Sequence, residues 1–390
     1  MAQTADTADV LVLGAGMAGA SVGCFLAEAG ARVVVLEREN QPGYHSTGRS
    51  AALFSETYGP PLVRRLSTAS RAFLTDPPDG FAAHPLLTPR GVLIVGTDGE
   101  ADSIDAAVAE GRALGTPMER LDAPALRTAM PALRPGAFTC GVLEPGARDM
   151  DVHAIHHGFL RGLRRAGGRL ETDAEAVAVS RETGSWRVTT RRGAVHEAPV
   201  VVNAAGAWAD VMADRAGVRR LGLVPKRRTA IIVDPPPGLV VADWPLTGDL
   251  AETFYVKPDA GRLFLSPADA MPVTPQDVQP ELIDVARAVA RLNEVTTLGI
   301  ERPVRAWAGL RSFVPDGVPV AGYAADAPGF FWLAGQGGYG IQTAVGLGRA
   351  AAALVVGRAL PQDLDALEVT AADLAPDRAS LVTKAATAVS

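Results

Sequence analysis

The sequence predicts an α/β fold with an α+β second part, on three observations. A short apolar run enters a glycine loop and a helix near the N-terminus. A second strand–glycine–helix element recurs at 330–356. Between them lie alternating apolar segments broken by prolines, as in Thr229 to Val233 and Phe254 to Val256, which read as antiparallel strands.

The first element is the most specific. Val10 to Leu13 reads as a buried parallel strand, Met17 to Ala29 as a helix stopped by Gly30, and Arg32 to Leu36 as a second strand. Gly14, Gly16 and Gly19 form G-x-G-x-x-G between strand and helix. The first glycine turns the chain, the second admits a pyrophosphate, and the third lets helix pack on strand, with Met17 and Ala18 at the helix start. A diphosphate there meets free N–H groups and the helix dipole. Glu37, followed by Arg38, ends the second strand about 20 residues past the loop, where a carboxylate accepts from a ribose hydroxyl and disfavours a 2′-phosphate. The unit is Rossmann-like and predicts dinucleotide binding.

The bulk composition narrows the partners. The chain has 390 residues, 48% of them hydrophobic, enough for a large core and two domains. A net charge of -6 argues against nucleic acid. Cys24 and Cys140 are the only cysteines, which implies neither a disulfide framework nor a metal cluster. The polar, acidic start lacks a basic signal region, and Glu28, Arg32 and several glycines interrupt the apolar run from Val10 to Leu36. No integral membrane segment and a cytoplasmic location are expected.

Further along, residues 60–145 hold a helix at Ile104 to Leu114 and a strand at Gly91 to Val95. Asp151 is placed to cap a helix from Val152 to Ala166. His153 and His157 are four apart on that helix, but without H-E-x-x-H or other ligands they read as ordinary helix histidines, and no metal site is expected. Gly168 to Val179 and Trp186 to Thr190 read as strands, and Pro199 to Asn203 runs into the small-residue turn Ala204-Ala205-Gly206-Ala207-Trp208. Leu282 to Leu292 is a helix, and Trp307 to Arg311 is expected to return the chain to the first domain.

The late element settles the choice between NAD and FAD. Phe330 to Ala334 is a strand, Gly335 to Gly340 a glycine-rich turn, and Ile341 to Val356 a helix. A single NAD site has no need of it, whereas FAD is long enough for its flavin end to meet this helix N-terminus, whose dipole favours negative charge on the reduced ring. FAD is expected, held non-covalently because neither cysteine lies near this segment.

Ser46-Thr47-Gly48-Arg49-Ser50, after the dinucleotide motif, resembles flavoenzymes of the glycine oxidase and D-amino acid oxidase superfamily. GYHSTGRSAA, HPLL at 84–87, NAAGAW, PKRR, FYVKPDAG, WAGLRSFV and QGGYGIQT, in this order, resemble more closely the bacterial D-arginine dehydrogenases. The resemblance implies a Rossmann-like FAD-binding domain of 1–58, 146–220 and 312–390 and a discontinuous β-sheet substrate domain of 59–145 and 221–311. It implies cofactor contacts from Gly14, Gly16, Met17, Ala18, Gly19, Glu37, Arg38, Ser46, Thr47, Arg49, Ser50, Ala51, Ala176, Val177, Ala205, Gly206 and Trp208. Gly335, Gly337, Gly338, Tyr339, Gly340, Ile341 and Gln342 complete that set.

For the substrate, the resemblance implies that Arg228 and Arg311 clamp a carboxylate with help from Tyr255 and from Tyr58 on a lid. The chemistry agrees, since a guanidinium fork matches a carboxylate and phenols add neutral donors. The Gly338 carbonyl would receive the substrate amine, and Leu53, Ser55, Val92, Leu246, Gly248, Gly309 and Gln342 would line the pocket. Where the family has an acid facing a cationic side chain, apolar residues around Val92 stand here, and a family histidine is Leu53. A buried cation would lack its partner, so a neutral or apolar D-amino acid, or a secondary amine, is expected, with Glu56 and Asp249 the candidate replacement acids.

The expected reaction is oxidation of a D-amino acid to an imino acid by hydride transfer from Cα to flavin N5. Tyr58, Tyr255 or water takes the amine proton, or the neutral amine is selected from solution. Oxygen and a quinone both remain as acceptors. An amine oxidase, a biosynthetic tailoring flavoenzyme and a non-catalytic flavoprotein subunit are the alternatives.

Overall fold

The structure, a computed structural model, describes residues 6–381. It opens with β1 (Val10–Leu13), α1 (Met17–Glu28) and β2 (Val33–Leu36). Helix α2 (Pro61–Thr75), β3 (Val92–Gly96) and α3 (Ala101–Ala113) follow. Next come β4 (Cys140–Glu144), β5 (Arg148–Met150), α4 (Val152–Arg165), β6 (Arg169–Glu171) and β7 (Val200–Asn203). Then β8 (Val224–Val233), β9 (Leu246–Asp249), β10 (Tyr255–Asp259), β11 (Arg262–Ser266), α5 (Leu282–Val295) and β12 (Arg305–Phe313) are laid down. β13 (Val320–Tyr323), β14 (Phe330–Ala334) and α6 (Ala344–Val355) complete the larger elements.

One sheet has the order β6-β2-β1-β7-β14-β13. Its first five strands run parallel and β13 is an antiparallel edge. Both faces of this sheet are covered, one by α1, α4 and α6 and the other by the strands Ala176–Glu182, Ser185–Thr190 and Val195–Ala198 with the helix Ala209–Ala216, which is why its strands read as unbroken apolar runs, VLVL, VVVL and FFWLA, each buried throughout. The strand order reverses beside β1, so a crevice opens at the carboxyl ends of β1 and its neighbours, where ligands of open α/β sheets bind.

Among the described residues the largest sheet has nine strands, with β8-β11-β10-β9-β3-β4 at its centre and β12 along the other side of β8. Successive side chains of a strand take opposite faces, and the registers therefore sort the residues. Ile231, Val233, Leu263, Leu265, Val256, Leu93 and Val95 face α5 and form one core. Each fully buried Leu or Ile there contributes about 1.5–3 kcal/mol. The other face carries Arg311, Gly309, Arg228, Tyr255, Lys257, Gly248, Leu246, Val92 and Glu144, by the pairings Arg228↔Gly309, Gly248↔Tyr255, Leu246↔Val92 and Val92↔Glu144.

Several elements differ from expectation. The stretch 168–179 is two strands in different sheets, β6 and Ala176–Glu182, separated at Asp173, whose φ of 53 lies in the left-handed region. Helix α2 was not anticipated. It starts with Pro61 in its first turn, a position where the missing N–H costs nothing, and it buries Leu62, Val63, Leu66 and Leu74 on one face. Helix α6 begins at Ala344 rather than Ile341, residues 340–343 being turns. Residues 305–313 do not leave the second sheet, because β12 pairs with β8 over nine residue pairs. They do reach the first sheet's side as well, where Leu310 accepts from Ser46 Oγ at 2.6 Å and Ser312 bridges to Gly337.

Candidate active site

A cavity of about 520 Å³ runs from the crevice at β1 to the polar face of the nine-stranded sheet. Gly14, Gly16, Met17, Ala18, Glu37 and Arg38 line one end, and Ser46, Thr47, Arg49, Ser50, Ala51, Ala176, Ala205, Gly206 and Trp208 line its flanks. Gly337, Gly338, Gly340 and Ile341 lie further along the wall, toward Arg228, Tyr255, Gly309 and Arg311. Gly19, Val177, Gly335, Tyr339 and Gln342 do not reach the wall. For Gly19 the reason is packing, since a Cβ there would stand 1.8 Å from the Gly14 carbonyl oxygen.

The glycine loop is braced from three sides. Glu37 is buried and accepts from the N–H groups of Ala15 at 2.8 Å and Glu39 at 3.0 Å, while burial raises its pKa. Thr47 Oγ1 accepts from Met17 N at 3.0 Å. His156, on α4, donates from Nε2 to the Ala15 carbonyl at 2.8 Å, and burial drops its pKa to about 4, so the ring is neutral. Beside Glu37 the Arg38 guanidinium lies 4.8 Å over Trp208, against which the His45 ring packs at 4.7 Å. Planar cationic and aromatic groups beside a buried carboxylate at the end of β2 suit a purine nucleotide. Arg49 lines the wall but spends its guanidinium on Ala308 O, Val278 O and Asp277.

At the far end the KRR run splits by strand alternation. Arg227 is buried on the opposite face, toward α5, and is taken up by Asp269, Glu281 and Asp284. Arg228 faces the cavity, its Nε is sealed from solvent without a hydrogen-bond partner, and no carboxylate lies within ion-pair reach of it among the described residues. Burial first, and then the charge of Arg311, lower the Arg228 pKa. Arg311 Nη1 donates to Tyr58 Oη at 3.2 Å and is likewise without an acidic partner among the described residues. Tyr58 sits outside the wall, 41% exposed, its ring edge-on to half-buried Tyr339 at 5.0 Å. Burial pushes the Tyr339 phenol up to about 12. Gly338 lies against Arg311, and a Cβ there would stand 2.9 Å from Nη1.

The expected pocket residues Leu53, Ser55, Val92, Leu246, Gly248 and Gln342 do not line the cavity. Leu53 pairs with Asp149 of β5, and the Ser55 N–H donates to Gln342 Oε1 at 3.3 Å. The two candidate replacement acids are engaged elsewhere, and that expectation is corrected. Glu56 turns outward to Thr68 at 2.7 Å and Arg71 at 2.8 Å. Asp249 lies on the opposite face of the sheet from Gly248, held by Thr253 N and Arg291. The buried acid on Val92's own face is Glu144, directly across the strand pair. Strand parity at 92 and 144 was a readable signal once the pairing was known, but not before.

His153 and His157 lie 4.1 Å apart, ring to ring, along α4. Asp6, Glu171 and His196 are the described residues whose ligand atoms gather, but the carboxylates face opposite ring nitrogens of His196, at 3.5 and 3.4 Å. Sequence reasoning also passed over His45, Gln336 and His156. His45 Nδ1 and Gln336 Nε2 are buried at the cavity without protein partners, as expected of donors and acceptors that meet a ligand.

The chain resembles known proteins throughout this fold. It is 24% identical to the glycine oxidase of Geobacillus kaustophilus over 342 residues, 84% of this chain and 87% of that one. It is 24% identical to mouse mitochondrial dimethylglycine dehydrogenase over 281 residues, 68% of this chain, but spans 31% of that protein's length. The solved Geobacillus glycine oxidase superposes with a TM-score of 0.81 at 23% identity, covering 94% and 99% of the two chains. L-Proline dehydrogenase from P. horikoshii gives 0.80 at 19%, covering 92% and 96%. Among the described residues no helix is long and apolar enough to cross a membrane. The glycine loop, the buried Glu37 and the unpartnered polar atoms along the wall fit FAD, and residues 9–354 match the DAO family, FAD dependent oxidoreductase, to which this chain therefore belongs with FAD as its cofactor.

Proposed function

We propose that this chain oxidises the C–N bond of an amino acid, with Arg228 and Arg311 holding the carboxylate. The observation that carries the reading is the pair of guanidiniums at one cavity end without an acidic partner among the described residues. Two such charges close together disfavour each other, and a bound carboxylate relieves both. Tyr255 on the wall and Tyr58 on Arg311 add neutral donors.

Bound FAD supplies a hydride acceptor at N5 of its flavin ring. The residues of the chain orient the substrate: the arginines fix the carboxylate, the Gly338 carbonyl accepts from the amine, and Cα is thereby held toward the ring. A D-amino acid with a neutral or apolar side chain is the substrate class supported by the lack of a carboxylate among the described residues lining this end of the cavity, and by the engagement of Glu56 and Asp249 elsewhere. The resemblance to D-arginine dehydrogenases supports the D configuration. A secondary amine is the second reading, favoured by similarity to proteins named sarcosine dehydrogenase, L-proline dehydrogenase and iminodiacetate oxidase. In this reading 1–58, 146–220 and 312–390 carry FAD while 59–145 and 221–311 form the substrate side. Its support is that β1, β2, β7 and β14 share one sheet and β3, β4, β8–β11 another.

Anaerobic mixing with D-Arg, D-Leu, D-Phe, D-Met, their L-enantiomers and sarcosine, followed by flavin absorbance near 450 nm, tests this. Bleaching by neutral D-amino acids with D-Arg weak is expected. Fast bleaching by D-Arg overturns the substrate class, and no bleaching by any carboxylate-bearing amine overturns the reaction. Reoxidation by air against a soluble quinone separates oxidase from dehydrogenase.

A further inference from the structure

Glu144 is a buried acid with no basic residue on it. It ends β4, is 4% exposed, and forms no ion pair among the described residues. One of its oxygens accepts from two hydroxyls of a single short segment, Ser55 Oγ at 2.8 Å and Thr57 Oγ1 at 2.6 Å. A carboxylate removed from water and given two hydroxyls and the Glu56 backbone N–H, but no cation, is expensive to place, so its location calls for a reason.

The segment it holds supplies one. Leu53 and Phe54 are fixed by pairing with β5, and from Gly59 the chain turns into α2. Gly59 has a φ of 97, and a Cβ there would strike the Tyr339 ring at 2.9 Å, so the turn is tightly defined. Between these two fixed points only 55–58 is irregular. Glu56 points out to Arg71 and Thr68, whereas Ser55 and Thr57 point in to Glu144, and the next residue is Tyr58, whose hydroxyl rests on Arg311.

We propose that Glu144 is a positioning residue, which holds Ser55 and Thr57 so that Tyr58 stays over Arg311 at the carboxylate end of the cavity. It acts through Tyr58 and touches neither substrate nor cofactor. The inference rests on the proposed carboxylate clamp and adds to it a residue that neither the sequence motifs nor the cavity wall identifies.

The test is a double-mutant cycle on the FAD-loaded enzyme, read by titrating propionate, which has the carboxylate but no amine to oxidise, against the flavin spectrum. Tyr58→Phe weakens propionate by about tenfold, the size of one hydrogen bond to a charged group. Glu144→Ala weakens it by a similar factor, the double variant is no worse than Tyr58→Phe alone, and Glu144→Gln, whose amide oxygen still accepts both hydroxyls, recovers most of the loss. If the double variant instead shows the product of the two single effects, or if Glu144→Ala binds propionate normally, the inference fails while the clamp stands. If Tyr58→Phe itself leaves propionate unchanged, the clamp fails at Tyr58 and the inference falls with it. Should Glu144→Ala not fold, Thr57→Val removes one of the two donors and must give the same non-additivity with Tyr58→Phe.

Discussion

Replacing Arg228 by Met should weaken substrate binding and strengthen the substrate-free fold at once. Arg228 has its Nε sealed from solvent without a partner, and the charge of Arg311 further disfavours its protonated form. Two like charges sharing a cavity at an effective dielectric near 20 cost on the order of 1–2 kcal/mol. Met keeps most of the aliphatic stem, so little packing is lost. The substrate-free holoenzyme should gain about 1 kcal/mol, or roughly 2 °C in Tm for a chain of this size. A carboxylate ligand, in contrast, loses a charge-assisted fork worth about 3 kcal/mol, or around a hundredfold in Kd or KM. Differential scanning fluorimetry with and without propionate reads both effects on one sample. An unchanged propionate affinity, or a substrate-free Tm that falls by more than about 2 °C, would show that Arg228 is a structural cation and refute the clamp.

Three further outcomes follow from geometry and charge. His156 is neutral in the fold with a pKa of about 4, against 6.5 when unfolded. Between those values the unfolded chain takes a proton that the folded chain refuses, so stability is complete above pH 6.5 and declines as the pH falls toward 4, by on the order of 3 kcal/mol. His156→Gln, which keeps a donor for the Ala15 carbonyl, should flatten that slope in urea melts across pH 4–7, and an unchanged slope would assign it to other groups. Gly338→Ala forces the Arg311 guanidinium to move from a Cβ 2.9 Å away. It should raise the substrate KM at least about tenfold with FAD content and far-UV spectrum intact, and a normal KM would show that Arg311 has room to spare. Glu37→Ala removes the acceptor for Ala15 N and for a ribose hydroxyl and should weaken FAD by about 10–100-fold, seen as apoprotein on gel filtration.

The local signals in the sequence were strong where one strand or helix decides the outcome. Val10–Leu13, Met17–Glu28 and Phe330–Ala334 appear within a residue of where their apolar runs and glycines place them, because parallel strands buried on both faces leave no ambiguity of period. Asp151 caps α4 by accepting from Ala154 N, as its position before the helix implies. What failed was whatever depends on the partner strand. Arg227 and Arg228 look equivalent in PKRR, and only the register against β12 turns one to the acids and the other to the cavity. Glu144 lies 52 positions from Val92 and becomes its neighbour only through the β3–β4 pair. Asp249 is adjacent in sequence to the pocket candidate Gly248, yet strand alternation sends it to the other face. Helix α2 was hidden by Pro60 before it and Pro61 at its first position, which read as a break rather than as a start.

The order of the parallel sheet has a consequence for biosynthesis. β7 stands between β1 and β14, so β1 waits for β7, completed at Asn203, and β7 in turn waits for β14, completed at Ala334, before that side of the crevice is walled. At roughly 5–20 residues per second on the ribosome, the first wait is on the order of 10 to 40 s and the second on the order of 7 to 26 s, and first β1 and then β7 exposes an unpaired edge. The wall contributed by Gly337, Gly338, Gly340 and Ile341 is therefore complete only once nearly the whole chain has emerged, and a cofactor that spans the cavity is seated late. Starving cells of riboflavin should accordingly leave a nearly complete chain lacking its cofactor rather than arrested fragments.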